Sequence, residues 1–212
     1  MNVIFATKNS GKVNQLAEIV KICNIDISIK TEADVGFAEK VNENGTTFEE
    51  NSRIKAKALQ SYCDKNNIEY DFVMADDSGL CVEALNGKPG VHSDRWAGEY
   101  KSKGEILDFL LKELSNYKTP EERRASFISV ITAIFKDGKE IQTRGECQGY
   151  IADHYDFVEE LTYNPVFIPF GFDKPIGEMD EEEFAKVHNH REIAIRKLME
   201  QIKEEEKDGL FK

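Results

Sequence analysis

Phe72-Val73-Met74-Ala75-Asp76-Asp77-Ser78-Gly79 is the stretch on which the reading of this chain turns. Four apolar residues in a row mark a strand buried on both faces, as in a parallel sheet. Two adjacent carboxylates and a glycine then stand where a core strand would stay apolar. Neighbouring strand residues point to opposite faces, so a straight strand does not aim Asp76 and Asp77 at one ion. Gly79 lets the backbone turn, and after such a turn both carboxylates reach a shared hard cation. Mg²⁺ is satisfied by one or two carboxylates plus waters and phosphate oxygens. The competing reading is a strand-end turn whose aspartates make only local hydrogen bonds.

Upstream, Val3-Ile4-Phe5-Ala6 reads as a second buried strand, stopping at Thr7-Lys8-Asn9-Ser10-Gly11-Lys12. A helix follows, with Val13, Leu16, Ala17 and Val20 at helical spacing. Backbone N–H groups at helix starts bind anions. Lys8 and Lys12 add charge there, and Thr7 and Asn9 add donors. The spacing is not that of a Walker A loop. Ile27–Ile29 reads as a short strand, and 34–45 as a polar loop. Thr47 and Glu50 form a capping box for a helix through Ile54, Ala58 and Leu59 towards Tyr62.

Downstream, Cys81–Leu85 reads as a strand or a short helix, and Asn86–Gly90 as a turn. Ser102–Leu114 predicts a helix with an Ile106, Phe109, Leu110, Leu114 stripe. Ala125–Phe135 fits a central strand. Asp137-Gly138 gives a hairpin turn into a returning strand, 140–152, broken by Gly145 and Gly149. The last helix begins near His190-Arg191. The expected fold class is α/β: a mixed twisted sheet with flanking helices, one domain over 1–212, in two lobes around a substrate groove.

Composition limits the function. The 212 residues are 40% hydrophobic and 32% charged, a globular balance. A net charge of −12 argues against a general nucleic-acid binder, but a phosphorylated small molecule needs only a local basic cluster. The acidic stretches Glu178–Glu183 and Glu204–Glu206 read as solvated surface. No apolar run approaches the roughly 20 residues of a membrane span. The start, Met1-Asn2-Val3-Ile4-Phe5, has no basic lead, which predicts no signal peptide and a cytoplasmic protein. Cys23, Cys63, Cys81 and Cys147 are widely spaced and predict free thiols rather than zinc or disulfides.

Four motifs then recur in order: Phe5-Ala6-Thr7-Lys8-Asn9-Ser10-Gly11-Lys12, Thr47-Phe48-Glu49-Glu50-Asn51, Ala75-Asp76-Asp77-Ser78-Gly79-Leu80 and Pro89-Gly90-Val91-His92-Ser93-Asp94-Arg95-Trp96-Ala97-Gly98. With them the chain resembles the inosine/xanthosine triphosphate pyrophosphatase family over nearly its whole length. Members hydrolyse aberrant purine nucleoside triphosphates to monophosphate and pyrophosphate. The resemblance implies a nucleoside triphosphate substrate, Mg²⁺ as cofactor and a homodimer.

It also implies roles. Thr7, Lys8, Asn9, Ser10, Gly11 and Lys12 would hold the triphosphate, and Ser78 would touch the substrate. Asp77 would be the catalytic carboxylate and a metal ligand, with Asp76 beside it. Glu50 and Lys55 would line the metal and phosphate site. The family's acidic loop pair falls on Asn42 and Glu43, so Glu43 would take the ligand role that Asn42 lacks. The base-reading segment departs from the family. Where it has Gly-Phe-Gly-Tyr-Asp-Pro, this chain has Glu160-Leu161-Thr162-Tyr163-Asn164-Pro165; Phe170-Gly171-Phe172-Asp173 is a rival register. Ser-His-Arg becomes Asn189-His190-Arg191, with Lys174 and Lys186 as the nearby lysines. Tyr163 would stack on the base, and His190 and Arg191 would donate to its 6-keto oxygen. Two alternatives stand beside this: the same hydrolase with shifted base specificity, or a nucleotide-binding protein with weak turnover.

Overall fold

The computed structural model describes residues 1–98, 101–159 and 161–207. Its strands are β1 (Asn2–Ala6), β2 (Ser28–Thr31), β3 (Phe72–Val82), β4 (Arg124–Phe135), β5 (Glu140–Ile151) and β6 (Phe167–Pro169). They form one sheet in the order β2-β1-β3-β4-β5-β6. β1 runs parallel to β2 and β3, and β5 antiparallel to β6. The helices are α1 (Ser10–Ile22), α2 (Phe48–Lys65), α3 (Lys103–Glu113), α4 (Glu181–Phe184) and α5 (His190–Lys207). This is the α/β class with a mixed sheet and flanking helices that the sequence leads one to expect. No helix among the described residues is long and apolar enough to cross a membrane.

The chain divides into two compact units. The first comprises Met1–Asp77, Ser129–Gly145 and Arg191–Lys212. Its strand residues alternate between two cores, as the pleat requires. Val3, Phe5, Phe72, Met74 and Ile131 face Leu16 and Ile19 of α1 and Ile195, Leu198 and Ile202 of α5. Ile4, Ala6, Val73, Ala75 and Ile134 face Ala56, Leu59 and Cys63 of α2. Strands buried on both faces explain the unbroken apolar runs in the sequence.

The second unit comprises Ser78–Ile128 and Glu146–His190. Its core joins Leu80, Val82, Phe127, Cys147 and Phe167 to Ile106, Leu107 and Leu110 of α3. Arg123 is buried there, and its guanidinium donates to the carbonyls of Ile151, Leu114, Tyr117 and Ala152. Ser102 caps α3 in a reciprocal box with Glu105.

Four local expectations are corrected. β3 does not turn at Asp76; it runs unbroken to Val82, so Gly79 is a strand residue. On α1 the buried positions are Gly11, Gln15, Leu16 and Ile19, while Ala17 is exposed, because the face towards the sheet is rotated from the sequence stripe. At α2, Thr47 accepts from the Glu50 N–H, but the Glu50 carboxylate reaches back to the Thr46 N–H and hydroxyl, one residue beyond a capping box. Gly145 and Gly149 do not break β5. Gly149 instead permits close approach: a Cβ there would lie 2.2 Å from the carbonyl oxygen of Ile168 in β6. Cys81–Leu85 is both of its readings, the end of β3 and then a 3₁₀ turn over Glu83–Leu85. The short elements β6 and α4 had no separate signal.

Of the acidic stretches, Glu178, Glu181, Glu182 and Glu204 are exposed, and Glu205 pairs with Lys139. The side chain of Glu206 lies outside the described residues, as does Glu160 of the base-reading segment.

Candidate active site

In the first unit β1 lies between its two successors. α1 leads from β1 to β2 on one side, and α2 leads on to β3 on the other. The helices pack on opposite faces, α1 within the core of Val3 and Phe5, α2 within that of Ile4 and Ala6. Such a reversal opens a crevice at the carboxyl ends of the strands, where ligands bind in open α/β sheets. The paired registers Phe5↔Thr31 and Ala6↔Ala75 bring Thr7, Glu32 and Asp76 to that edge.

The turn after β1 is ordered by its own side chains. Thr7 Oγ1 accepts from the Asn9 N–H at 3.2 Å, and Asn9 caps α1 by accepting from the Lys12 N–H at 3.2 Å. Ser10 and Gly11 open the helix, where backbone N–H groups lack intrahelical partners. Lys12 reaches across to β3, with Nζ 3.2 Å from Asp76 Oδ2.

Because β3 is unbroken at Asp76 and Asp77, its two aspartates part. Asp76 faces α1 and α5, as Met74 does, and its carboxylate is fully buried. Arg191 of α5 donates to Oδ2 from Nε (3.0 Å) and Nη2 (2.8 Å), and Ser129 donates to Oδ1 at 2.7 Å. Arg191 also donates to the Gln15 amide oxygen. Burial opposes ionisation of Asp76, but Arg191 and Lys12 outweigh it and hold the carboxyl well below the usual carboxylate range.

Asp77 faces α2, as Ala75 does. Lys55 of α2 donates to Asp77 Oδ1 at 2.7 Å and meets Glu43 Oε2 at 2.9 Å. Asp77 Oδ2 is buried with no hydrogen-bond partner among the described residues. Burial pushes the Asp77 carboxyl up from the ordinary range, against the pull of Lys55. Burial draws Lys55 down, yet Asp77 and Glu43 prevail and hold its ammonium above the usual lysine range. The loop that carries Glu43 is tied to α2: the Gly45 N–H donates to Asn51 Oδ1 at 2.9 Å, and a Cβ on Gly45 would come within 2.7 Å of that oxygen.

The sequence-predicted residues thus divide. Thr7–Lys12, Glu43, Lys55 and Asp77 gather at the strand ends of the first unit. Asp76 sits there too, but its carboxylate serves an internal ion pair with Arg191, not an ion shared with Asp77. The shared-site expectation fails because β3 does not turn. Glu50 is exposed, its carboxylate held by Thr46 rather than by any group of the Lys55 cluster.

The remainder lie in the second unit, apart from Arg191. Ser78 is half-buried on β3, and Leu161 and Thr162 are half-buried before a 3₁₀ turn over Asn164–Val166. Two base contacts are corrected. Tyr163 is buried in the core, its hydroxyl donating to the Ser93 carbonyl at 2.7 Å, so its ring is a packing element rather than a stacking platform. Arg191 is only 2% exposed and bound to Asp76 and Gln15, which turns its guanidinium inward. His190 is buried with its ring stacked on Phe127, centroids 4.8 Å apart. Asn164 and Asn189 are buried as well. Lys174 pairs with Glu183 at 2.6 Å and Lys186 with Glu182 at 2.9 Å on the surface. In the rival register Phe170 is exposed against Tyr150, and Gly171 turns the chain with φ +88°.

One residue escaped the sequence reading. Glu32, just beyond β2, is 6% exposed. Its Oε1 lies 3.8 Å from Lys8 Nζ, and Lys55 and Glu43 are its other charged neighbours. Nothing in the run Ile29-Lys30-Thr31-Glu32 marks a buried carboxylate; only the parallel register does.

The model of the Ham1 family matches residues 3–201. A dITP/XTP pyrophosphatase from Bacillus anthracis is 38% identical over 204 residues, 95% of this chain and 96% of that protein. A dITP/XTP pyrophosphatase from Clostridium perfringens is 39% identical over 201 residues, 94% of this chain and 96% of that protein. Among solved structures, the Staphylococcus aureus Ham1 protein aligns with a TM-score of 0.78 at 32% identity, covering 97% of this chain and all (100%) of that one. A HAM1 protein from Coxiella burnetii aligns at 0.77 and 27% identity, covering 96% and 99%.

Proposed function

The chain belongs to the Ham1 family, and from that footing we propose that it is a nucleoside triphosphate pyrophosphohydrolase. It cleaves noncanonical purine triphosphates of the dITP, ITP and XTP type to monophosphate and pyrophosphate. The carrying observation is the carboxylate of Asp77, fixed through Oδ1 by Lys55 and left with a buried Oδ2 that has no hydrogen-bond partner among the described residues. The expectations of a single functional domain over 1–212, a homodimer and a cytoplasmic setting go with this reading.

In the reaction, water attacks the α-phosphorus, a new P–O bond forms, and the bond to the bridging oxygen breaks to release pyrophosphate. Asp77 accepts the proton of that water. Lys12, Lys8 and the first N–H groups of α1 hold the phosphates. Lys55 fixes the Asp77 carboxylate and adds positive charge for the oxygens of the transition state.

The donor set fits a divalent ion, and Mg²⁺ is our choice. A buried carboxylate oxygen without a hydrogen-bond donor is a place for a cation. Among the described residues no three His, Cys, Asp or Glu groups converge as a metal cage. An ion held by Asp77 would take its other ligands from phosphate oxygens and water. When bound, it would neutralise phosphate charge and polarise a phosphoryl oxygen. Glu43 and Glu50, engaged with Lys55 and Thr46, are proposed as outer residues.

A second reading concerns the base. Asn164 and Asn189 replace an acid and a serine, and both are buried. An asparagine donates as well as accepts, where an aspartate only accepts. The pocket then prefers deaminated purines less strongly than its relatives do, or takes another modified base. Pyrophosphate release measured across dITP, XTP, ITP, dATP and dGTP with Mg²⁺ separates these readings. Turnover led by the deaminated bases supports the first, a flat or displaced profile the second. Binding without turnover means a nucleotide-binding protein and sinks the proposal.

A further inference from the structure

Burying a carboxylate is costly unless it is well paired, and Glu32 is poorly paired for its depth. Its one ion-pair partner among the described residues, Lys8, is 3.8 Å away with a side chain 61% exposed, while the Glu32 side chain is 8% exposed. A loose pair to a solvated lysine contributes little stability. The Lys8 ammonium also donates to the Glu39 carbonyl at 3.3 Å, so it rests on the segment that Glu32 begins. The backbone pins Glu32 in place: its N–H donates to the Phe5 carbonyl at 3.0 Å, and its own carbonyl accepts from Phe37 at 2.8 Å. It therefore stays at the strand ends. The charged groups around it are Lys8 from the turn after β1, Lys55 from α2 and Glu43 from the loop before α2.

We propose that Glu32 is an affinity-setting counter-charge: it occupies Lys8 in the free site and competes there with the phosphates of substrate and product. This rests on the reading of the Thr7–Lys12 turn as the polyphosphate cradle. A fixed negative charge beside an anion site in a partly desolvated crevice weakens every polyphosphate that enters. Pyrophosphate, the more densely charged product, feels it as well as the substrate, so Glu32 keeps the enzyme from being held by its own product.

The test separates binding from chemistry. Glu32→Gln keeps the shape and removes the charge; thermal melts verify folding. Calorimetric titration with inorganic tripolyphosphate and with pyrophosphate is expected to show about tenfold tighter binding, the scale of one charge at ~10 Å in a medium of effective dielectric ~20. The KM for the nucleotide falls in step, and inhibition by added pyrophosphate becomes stronger. In a Lys8→Ala background the same substitution is expected to gain less than half as much, since paired residues are non-additive. Equal or weaker binding by Glu32→Gln, no binding by either protein, or an undiminished gain without Lys8 would overturn the proposal. Absence of pyrophosphate release by the unaltered protein, with tripolyphosphate binding as expected, would instead overturn the catalytic reading and leave the role of Glu32 standing.

Discussion

Arg191 grips Asp76 with two N–H groups on one carboxylate oxygen, at 3.0 and 2.8 Å, leaving the other oxygen to Ser129. The first turn of the last helix is thereby fastened to the middle of β3. One residue further along, Asp77 faces the other way and pairs with Lys55. Two neighbouring aspartates thus have separable duties, and substitutions should tell them apart.

Asp77→Asn is expected to lower turnover 10²–10⁴-fold, the usual loss for an acid/base group. It also takes from the buried Lys55 the closer of its two carboxylates, and breaking a buried pair from one side costs up to ~3–5 kcal/mol, so the melting temperature is expected to fall, by less than for Asp76→Asn because Glu43 still meets Lys55. Steady-state pyrophosphate release beside a thermal melt checks both. More than about a tenth of normal turnover would contradict the assigned role.

Asp76→Asn is expected to fail differently. It leaves Arg191 and Lys12 without their carboxylate, and breaking a buried pair from one side costs ~3–5 kcal/mol. At about 2–4 °C per kcal/mol for a chain of this size, the melting temperature falls by roughly 6–20 °C. A variant that melts like the parent would show that the ion pair does not support the fold.

Stability should depend on pH in two opposed ways. The folded-state pKa of Asp76 is depressed, so its contribution is fully present above the unfolded carboxylate value of about 3.9. It is lost only as pH falls through the much lower folded value. Glu32 has the reverse sign: burial raises it, so its ionised form is a cost above its folded pKa, relieved as pH drops. Glu32→Gln is accordingly expected to raise the melting temperature at pH 8 and to make little difference at pH 4. Equal shifts at both pH values would contradict that sign.

Gly149→Ala is expected to open the β5–β6 pairing, because its Cβ would lie 2.2 Å from the Ile168 carbonyl oxygen and 2.8 Å from the Phe167 ring. Overpacking of this kind costs ~1–3 kcal/mol. Hydrogen exchange should quicken at the amides of Ala152 and Phe170, which bond to Val166 and Gln148. Because Leu161–Asn164 lead into β6, KM for the nucleotide is expected to rise more than kcat falls. Unchanged exchange at those amides would contradict the close-approach argument.

Apolar runs and capping residues were enough to place β1, β3, β4, β5 and the long helices, since burial on both faces leaves a plain signature in Phe72–Ala75 and Ala125–Phe135. Thr7–Lys12, Lys55 and Asp77 were named through the resemblance of their motifs to a family, since a polar turn between a strand and a helix is by itself a weak sign and Lys55 and Asp77 lie inside α2 and β3. Asp76, Tyr163 and Arg191 were misread because their surroundings are assembled from distant segments. Asp76 meets Arg191 across 115 positions and Tyr163 meets Ser93 across 70. No local pattern distinguishes an arginine turned inward from one turned to a ligand. Glu32 was missed because its burial arises from the pairing of β2 with β1.

The unbroken run of β3 through Asp76 and Asp77 has a consequence for how this gene can vary in length. Shifting a strand by one residue exchanges its two faces. A codon gained or lost between Phe72 and Asp76 would turn Asp76 towards α2 and Asp77 towards Arg191, trading the carboxylate that meets Lys55 for the one that meets Arg191 while both letters remain in the sequence. The same event before Tyr70, in the turn around Asn66 and Asn67 where α2 has already ended, leaves that frame intact. Length variation among relatives should therefore collect in that turn and be absent from the five positions that follow Asp71.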